Sequence, residues 1–490
     1  MEGMVIFMRK NTISHIVVLF AGTFFNVVIG IITTPIITRL VSPDSYGQLS
    51  IFNLYENIIV MVVCIGLDQA LIRFYYREQT MIYKKNLIRQ CTLMPFLIAV
   101  ALGGASILLY SNSLFSFEFG LCGLVLLVIC SVVQLIRRFS FIVLRLEYRS
   151  NVYSILHIAQ KIIYVICVVL LLYFVEDYDF ELLVVGTIIS VFLVTAASIV
   201  STKKLWSFTS TSKTVISRKE LFSFGIPFIL SMGITTVFQA IDQFSIKYFC
   251  DFYETGIYSS AMSIIHIFAL VQTTFNAFWG PLSTEHYQNN QEENKDFYVK
   301  ANDYVCIIMF IMGISLIMFK DILAFLLGSE YRLAVYIIPC LVFSPLMQTI
   351  SETTSVGINY SQKSYLHIIV SLIACVVNIL GNICLVPLFG GKGAAISTGI
   401  AYIVFFIFRT LFSAKYFKIA LKYKKIVILG TMLLLYAMYN TFSTVSIWSF
   451  VGGVICILIW FVVYKNEINL MLKDVMIFIK MKLGTKRSEE

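Results

Sequence analysis

Charge is scarce in this chain. Charged residues fill 13% of its 490 positions, while apolar residues fill 59%, and mean hydropathy is +0.87. A water-soluble protein of this length could not hide so much apolar surface, which excludes the soluble globular classes. No C-x-x-C occurs among the eleven cysteines, and no cysteine pair stands at a metal-site spacing. Neither disulfides nor a metal site are expected; most of the cysteines fall in apolar runs, where they act as small apolar residues. No phosphate loop is present. Gly390-Gly391-Lys392-Gly393 has no glycine at the required distance before it and no Ser or Thr after the lysine, so it reads as a tight turn. Without a nucleotide-binding segment, direct ATP drive is not expected, and no cofactor is implied.

What is present is a series of long apolar runs. A helix needs ~20 apolar residues to cross a bilayer. Fourteen candidates lie near 14–38, 47–71, 87–110, 119–143, 152–174, 182–202, 221–248, 257–281, 301–319, 333–358, 365–387, 393–413, 426–444 and 447–464. The first is too long for a signal h-region and no A-x-A site follows it, so it reads as an uncleaved anchor. The expected class is an all-α integral membrane protein with about 14 transmembrane helices.

The basic residues support that arrangement. With the N-terminus inside, the outer segments hold only Arg39, Lys247, Lys320, Arg332 and Lys392 of the 37 Lys and Arg, and Lys161 sits deep in a span. All the others fall in inner segments, as the positive-inside rule requires. Both termini are therefore expected in the cytoplasm. The net charge of +10 reflects topology and attraction to anionic inner-leaflet lipids, not a nucleic-acid partner.

Two spans carry matching polar stripes. Thr23, Asn26, Gly30, Thr34 and Thr38 recur at helical spacing in the first, and Ser231, Thr235, Gln239, Asp242 and Lys247 nearly do so in the seventh. An offset of 209 maps Asn26, Gly30, Thr34 and Thr38 onto Thr235, Gln239, Gln243 and Lys247, and maps Gly47 and Ser50 onto Gly256 and Ser259. Leu156-His157-Ile158 recurs as Leu366-His367-Ile368 at 210. Six spans per copy is an even number, so the two copies insert in the same orientation, related by an axis along the membrane normal. The expected organisation follows. Residues 1–204 form an N-terminal lobe of spans one to six, 205–220 a cytoplasmic linker, and 221–420 a C-terminal lobe of spans seven to twelve. Residues 421–465 add two spans, and 466–490 form a cytoplasmic tail, either an amphipathic helix on the inner leaflet or a solvated segment. A polar face on an apolar membrane helix must look at protein or water. Two such faces in two pseudo-symmetric six-helix lobes predict a central water-filled cavity, and hence a transporter.

Several residues stand out as candidates for contact with cargo. Lys161 lies mid-span, on one face with Ser150, Ser154, His157 and Tyr164. A lysine at the bilayer centre costs ~2.5–3.5 kcal/mol on insertion scales, so a partner or a wet cavity must offset it. It reads as a cationic floor for an anionic substrate, against the alternative of a structural ion pair with Glu56. Span ten presents Gln348, Glu352, Ser355 and Asn359 on one face, and span eight presents His266 beside Ser259 and Ser263. His266 taken alone fits a packing role better. Charges at span ends, Arg39, Asp68, Arg73, Asp242 and Lys247, fit gating or ion pairing as well as substrate contact. Asp177-Tyr178-Asp179 has the D-x-D spacing of nucleotide-sugar enzymes, but it lies in an outer acidic loop where such sugars are absent.

The segments RLVSPDSYGQLSIFN (39–53), GLDQALIRFYY (66–76), AIDQFSIKYFCDFYETGIYSSAMSI (240–264) and NILGNICLVPLFGGKGAAISTGIAY (378–402) resemble the bacterial polysaccharide-export flippases. These are the Wzx-like O-antigen and capsule repeat-unit translocases of the multidrug/oligosaccharidyl-lipid/polysaccharide superfamily. The resemblance covers most of residues 10–420. It implies twelve to fourteen helices in two lobes around a V-shaped cavity, in the bacterial cytoplasmic membrane. It also implies an undecaprenyl-pyrophosphate-linked oligosaccharide as substrate, with polysaccharide polymerase machinery as a neighbour. Where such families often carry Asp-Arg, this chain has Asp242-Gln243, and Lys247 is about one turn on. A coupling ion, H+ or Na+, is compatible with this reading. The rival readings are a drug/cation antiporter of the same fold and a peptidoglycan-precursor flippase. A membrane-embedded polymerase or ligase fits least, because the outer connections are short.

Overall fold

The computed structural model describes residues 29–30, 32–175, 177–206, 216–289, 295–443 and 447–487, with side chains at most of these positions. Every regular element among them is helical. A helical stretch, 32–38, enters α1 (Pro43–Cys64), α2 (Leu67–Phe74), α3 (Met81–Ser111), α4 (Gly120–Leu146), α5 (Ser150–Phe174), α6 (Asp179–Ser201) and α7 (Arg218–Phe249). Then come α8 (Phe252–Asn289), α9 (Lys295–Met318), α10 (Lys320–Leu326), a 3-10 turn (Ser329–Tyr336), α11 (Ile338–Leu341), α12 (Phe343–Thr354) and α13 (Val356–Tyr360). The chain closes with α14 (Tyr365–Phe389), α15 (Gly391–Ala414), α16 (Tyr423–Phe442) and α17 (Ile447–Arg487).

Among the described residues, eleven helices are long and apolar enough to cross a membrane, or twelve if the bent pair Ser329–Tyr336 and Ile338–Thr354 is one span. About fourteen were expected. Most of the expected first span lies outside the described residues, and α7, a 32-residue helix, is not among the eleven. The tenth expected span is not one straight helix; it bends by 54°. The second is also interrupted. Ser42 caps α1 by accepting from the Ser45 amide at 3.3 Å, with Pro43 next in the chain and Asp44 in the first turn. α1 then stops because Ile65 (φ 48°) and Gly66 (φ 69°) both take the left-handed conformation. A branched residue there is strained. A side chain on Gly66 would also run into the Gly225 backbone of α7. This break redirects the chain into α2. The last helix, α17, is unbroken over 41 residues, ~60 Å at 1.5 Å per residue. That is about twice the hydrocarbon thickness, so the tail continues the final span as one helix.

The chain packs as two compact units. The first holds residues 1–247, 251–259 and 327–330; the second holds 248–250, 260–326 and 331–490. In the first unit, one core gathers Leu67, Leu71, Tyr75, Leu87, Phe139 and Val143, and another gathers Ile37, Phe52, Leu127, Val168, Phe180 and Val184. The repeat-related glycines meet here. A side chain on Gly47 of α1 would strike the backbone of Phe252 and Gly256, and one on Gly256 would strike Pro43. Small residues let two membrane helices cross at backbone distance. In the second unit, an aromatic cluster of Trp279, Tyr298, Tyr360, Phe297 and Phe417 joins α8, α9 and α13.

Candidate functional site

A cavity of about 270 Å³ lies within the first unit, bounded by α1, α2, α4 and α5. Its polar wall comes mainly from one face of α4. Gln134, Arg137, Arg138, Phe141 and Arg145 follow the helical period. Glu56 of α1, Asp68 of α2 and His157 of α5 complete the wall. Three guanidinium groups therefore face two carboxylates, so the lining is net cationic.

The two adjacent arginines are held differently. Arg138 donates through Nε (3.0 Å) and Nη2 (2.6 Å) to Oδ2 of Asp68, an oxygen that also accepts from Gln69 Nε2 at 3.1 Å. Asp68 is 2% exposed, and the Ile65–Gly66 break starts the short helix that carries it. Arg137 donates instead to neutral amide oxygens, Gln134 Oε1 at 2.8 Å and Gln160 Oε1 at 3.0 Å. Its guanidinium carbon lies 5.3 Å from the centre of the Phe141 ring. Amide partners orient a charge without cancelling it, so Arg137 stays cationic in a protected setting, with the buried Glu56 on the same wall. His157 is clamped between the rings of Phe141 and Tyr153, at 5.3 and 5.0 Å.

Lys161 is half-buried, one turn beyond His157 on α5, and it is not among the residues lining this cavity. Its Nζ lies 2.7 Å from where a β-carbon on Gly30 would sit. Gly30 is thus the opening in the first stripe that admits the ammonium. Thr34 and Thr38, in the same stripe, donate their hydroxyls to their own helix, to the carbonyls of Gly30 (3.1 Å) and Thr34 (2.9 Å). Asn26 lies outside the described residues, as does the side chain of Thr235.

The remaining predicted residues are dispersed. Gln239 is exposed, and Asp242 is buried and accepts from Tyr258 Oη at 2.7 Å. Lys247 forms an ion pair with Glu118, which also accepts from Tyr55 Oη at 2.8 Å. Arg73 is exposed, 6.0 Å from the Phe224 ring, and Arg39 is exposed at the end of the first helical stretch. In the second unit, Glu352 of α12 meets Arg409 of α15 in a bidentate pair of 2.9 and 3.1 Å, with Ser351 Oγ accepting from the same guanidinium at 2.7 Å. Asn359 Oδ1 lies 2.8 Å from His367 Nε2, and His266 is exposed on α8.

The charge bias counts Arg137, Arg138, Arg145 and Arg409 with the inner segments, although Arg137, Arg138 and Arg409 already fall within the expected spans 119–143 and 393–413; all four stand on helices. Arg138 stands eight residues before the end of α4, ~12 Å at helical rise. The positive-inside count treated them as topology markers. The signal that would have found them is the 134, 137, 138, 141, 145 periodicity, which puts these side chains on one face of the helix. A larger apolar cavity of about 800 Å³ also borders α1 and α4, lined by Ile59, Val62, Leu102, Leu124 and Leu127, with Glu118 at its rim.

Comparison with known proteins gives this arrangement a family. The model of the polysaccharide biosynthesis protein family matches residues 12–285, more than half of the chain. The chain belongs to the polysaccharide biosynthesis protein family. Within that frame, an uncharacterized membrane protein of Methanocaldococcus jannaschii is 24% identical over 264 residues, 52% of each chain, so the match spans about half the length of that relative. Among solved structures, the lipid II flippase MurJ in an inward closed conformation superposes with a TM-score of 0.66, at 17% identity, over 94% of this chain and all of that one. An inward-facing multidrug resistance MATE family transporter of the MOP superfamily gives 0.58, at 16% identity, over 80% of this chain and 94% of that one. At these identities the likeness is one of fold, and it makes this family member a MurJ/MATE-like membrane protein.

Proposed function

We propose that this chain moves undecaprenyl-pyrophosphate-linked oligosaccharide repeat units from the inner to the outer leaflet of the bacterial cytoplasmic membrane, for O-antigen, capsule or exopolysaccharide synthesis. The observation that carries the reading is the net-cationic cavity on the α4 face. A pyrophosphate needs fixed cations in a low-dielectric setting. Arg137, oriented by neutral amides, is suited to that task, and Lys161 offers a second cation one turn past His157. The sugar chain needs neutral hydrogen-bonding groups, which Asn26, Thr34, Thr235, Gln239, His266 and Asn359 would provide. The isoprenoid tail needs only apolar surface, such as the cavity beside α1 and α4.

In this reading residues 1–204 and 221–420 act as the two lobes of an alternating-access cycle, and the chain is a transporter, not an enzyme. Arg39, Glu56, Asp68, Arg73, Asp242 and Lys247 serve gating or pairing. Both termini face the cytoplasm, and polymerase machinery receives the product on the other side. Moving two negative charges outward is downhill by ~4.6 kcal/mol per 100 mV, inside negative, so the potential can assist with or without a coupled H+ or Na+. A drug/cation antiporter would hold its cargo at a deep carboxylate. Of the three candidates, Glu352 is paired with Arg409, Asp242 accepts from Tyr258, and Glu56 shares a wall with three arginines.

The test is complementation of a strain lacking the gene. Lys161→Ala and Arg137→Ala should reach the membrane at wild-type levels and lose surface polysaccharide, while Arg137→Lys retains part of it. Wild-type polymer from both alanine variants would overturn the reading. The nearer rival, a peptidoglycan-precursor flippase, predicts lysis on depletion instead of viable cells without polymer.

A further inference from the structure

A third cavity, of about 380 Å³, lies in the first unit where α2, α3 and the start of α7 meet. It is separate from the arginine cavity: Leu67 of α2 faces it, whereas Asp68 and Gln69 face the other. Its polar end carries Asn86, Arg89 and Gln90 of α3 and Arg218 of α7, and no acidic side chain lines it. Gln90 Oε1 is fully buried there without a hydrogen-bond partner, which is costly for a polar atom unless a donor arrives. Along α3 the lining changes from Asn86, Arg89 and Gln90 to Leu93 and Leu97, a run of ~16 Å at helical rise. Two cations, a hydrogen-bond acceptor and then an apolar slot follow the order of groups in a phospholipid: phosphodiester, hydroxylated headgroup, acyl chain.

We infer that this cavity binds an anionic inner-leaflet glycerophospholipid of the phosphatidylglycerol type, its phosphodiester between Arg89 and Arg218, its headgroup hydroxyls beside the amides of Asn86 and Gln90, and an acyl chain along Leu93 and Leu97. The absence of acidic lining favours an anionic headgroup over a zwitterionic one. The arginines belong to the basic segments that the charge bias assigns to the inner side. The site is independent of the transported cargo. It also has a mechanical consequence. α7 begins at Arg218, and its first turns are already tied to the first helices by the Arg77–Glu220 pair at 2.8 Å and by the close approach of Gly225 to Gly66. A lipid held by Arg89 and Arg218 adds a third tie on the start of α7, this one to α3, and so stabilises the protein when bound.

The full-length protein in detergent, melted with dioleoylphosphatidylglycerol, with dioleoylphosphatidylcholine or with inorganic phosphate, tests this. Phosphatidylglycerol should raise the melting temperature by several degrees and the other two should not. In the Arg89→Ala/Arg218→Ala variant, affinity for phosphatidylglycerol by native mass spectrometry should fall at least about tenfold, the size of one hydrogen bond to a charged group. Leu97→Trp, which fills the acyl slot at a lipid-exposed position and leaves both arginines, should reduce binding as well and serves if the arginine variant does not fold. Equal stabilisation by phosphatidylcholine, equal stabilisation by phosphate alone, or wild-type binding by Leu97→Trp would overturn the inference.

Discussion

Each unit pairs an arginine of a long helix with a carboxylate, yet the two sites differ. In the second unit, Arg409 and Glu352 meet fork to fork, with a side-chain exposure of 9% for the arginine. The pair is self-contained. In the first unit, Arg138 takes one oxygen of Asp68, and its neighbour Arg137 is left to amides in a cavity. On the proposed function, the difference separates an arginine oriented by neutral groups, suited to an anionic cargo, from one already matched to a carboxylate. A closed pair instead holds helices together.

The largest test of that comparison is Arg409→Ala. It strands a carboxylate whose side chain is only 21% exposed and should cost about 2–3 kcal/mol, below the figure for a fully buried pair, read as a clear fall in melting temperature in detergent. The double variant Arg409→Met/Glu352→Met should recover most of that loss. A wild-type melt for Arg409→Ala would erase the distinction between the two sites. Next in size is Gly66→Ala. It adds a side chain at positive φ, costing about 1–2 kcal/mol before the collision with Gly225 is counted. It should also loosen the Asp68–Arg138 bond, because it disturbs the break that aims α2. Smaller still in stability is Arg137→Gln, expected to cost about 1–2 kcal/mol because it removes two bonds to neutral amides and a cation from the wall that holds buried Glu56, yet with export reduced at least tenfold. An Arg137→Gln protein that melts far below wild type would make Arg137 structural as well.

The smallest effect concerns the residue that caps α4. Burial raises the Glu147 carboxyl, but hydrogen bonds from Lys84 (2.8 Å) and Tyr75 (2.7 Å) outweigh it and hold the group below its ordinary value of 4.5. A carboxyl depressed in the fold contributes stability that is present above the unfolded value and lost as pH falls through the folded one. Glu147→Gln should therefore melt below wild type at pH 7, and the gap should close as pH drops below 4.5. A gap that persists at low pH would mean that Glu147 acts through packing.

Much of the architecture was legible. Apolar runs near 20 residues located most of the spans, because a bilayer imposes one length on every crossing helix. Gly47 and Gly256 were visible as a pair at an offset of 209, and the close approach of their backbones is a tertiary fact. The site was only half legible. Lys161 was conspicuous because nothing near it in sequence is charged. Arg137 and Arg138 were hidden, because a basic pair near a span end looks like a topology signal until the helix is seen to run on to Leu146. Glu352 was found without its partner, since Arg409 is distant in sequence and the pairing is a tertiary event.

Hydropathy and charge bias alone determined that this chain is helical and membrane-embedded, because long apolar runs in hydrocarbon satisfy their backbone hydrogen bonds within each helix. Which cations stand ready for an anion and which are already spent on a carboxylate was decided by tertiary structure, because a guanidinium's effective charge depends on the groups that long-range packing sets beside it.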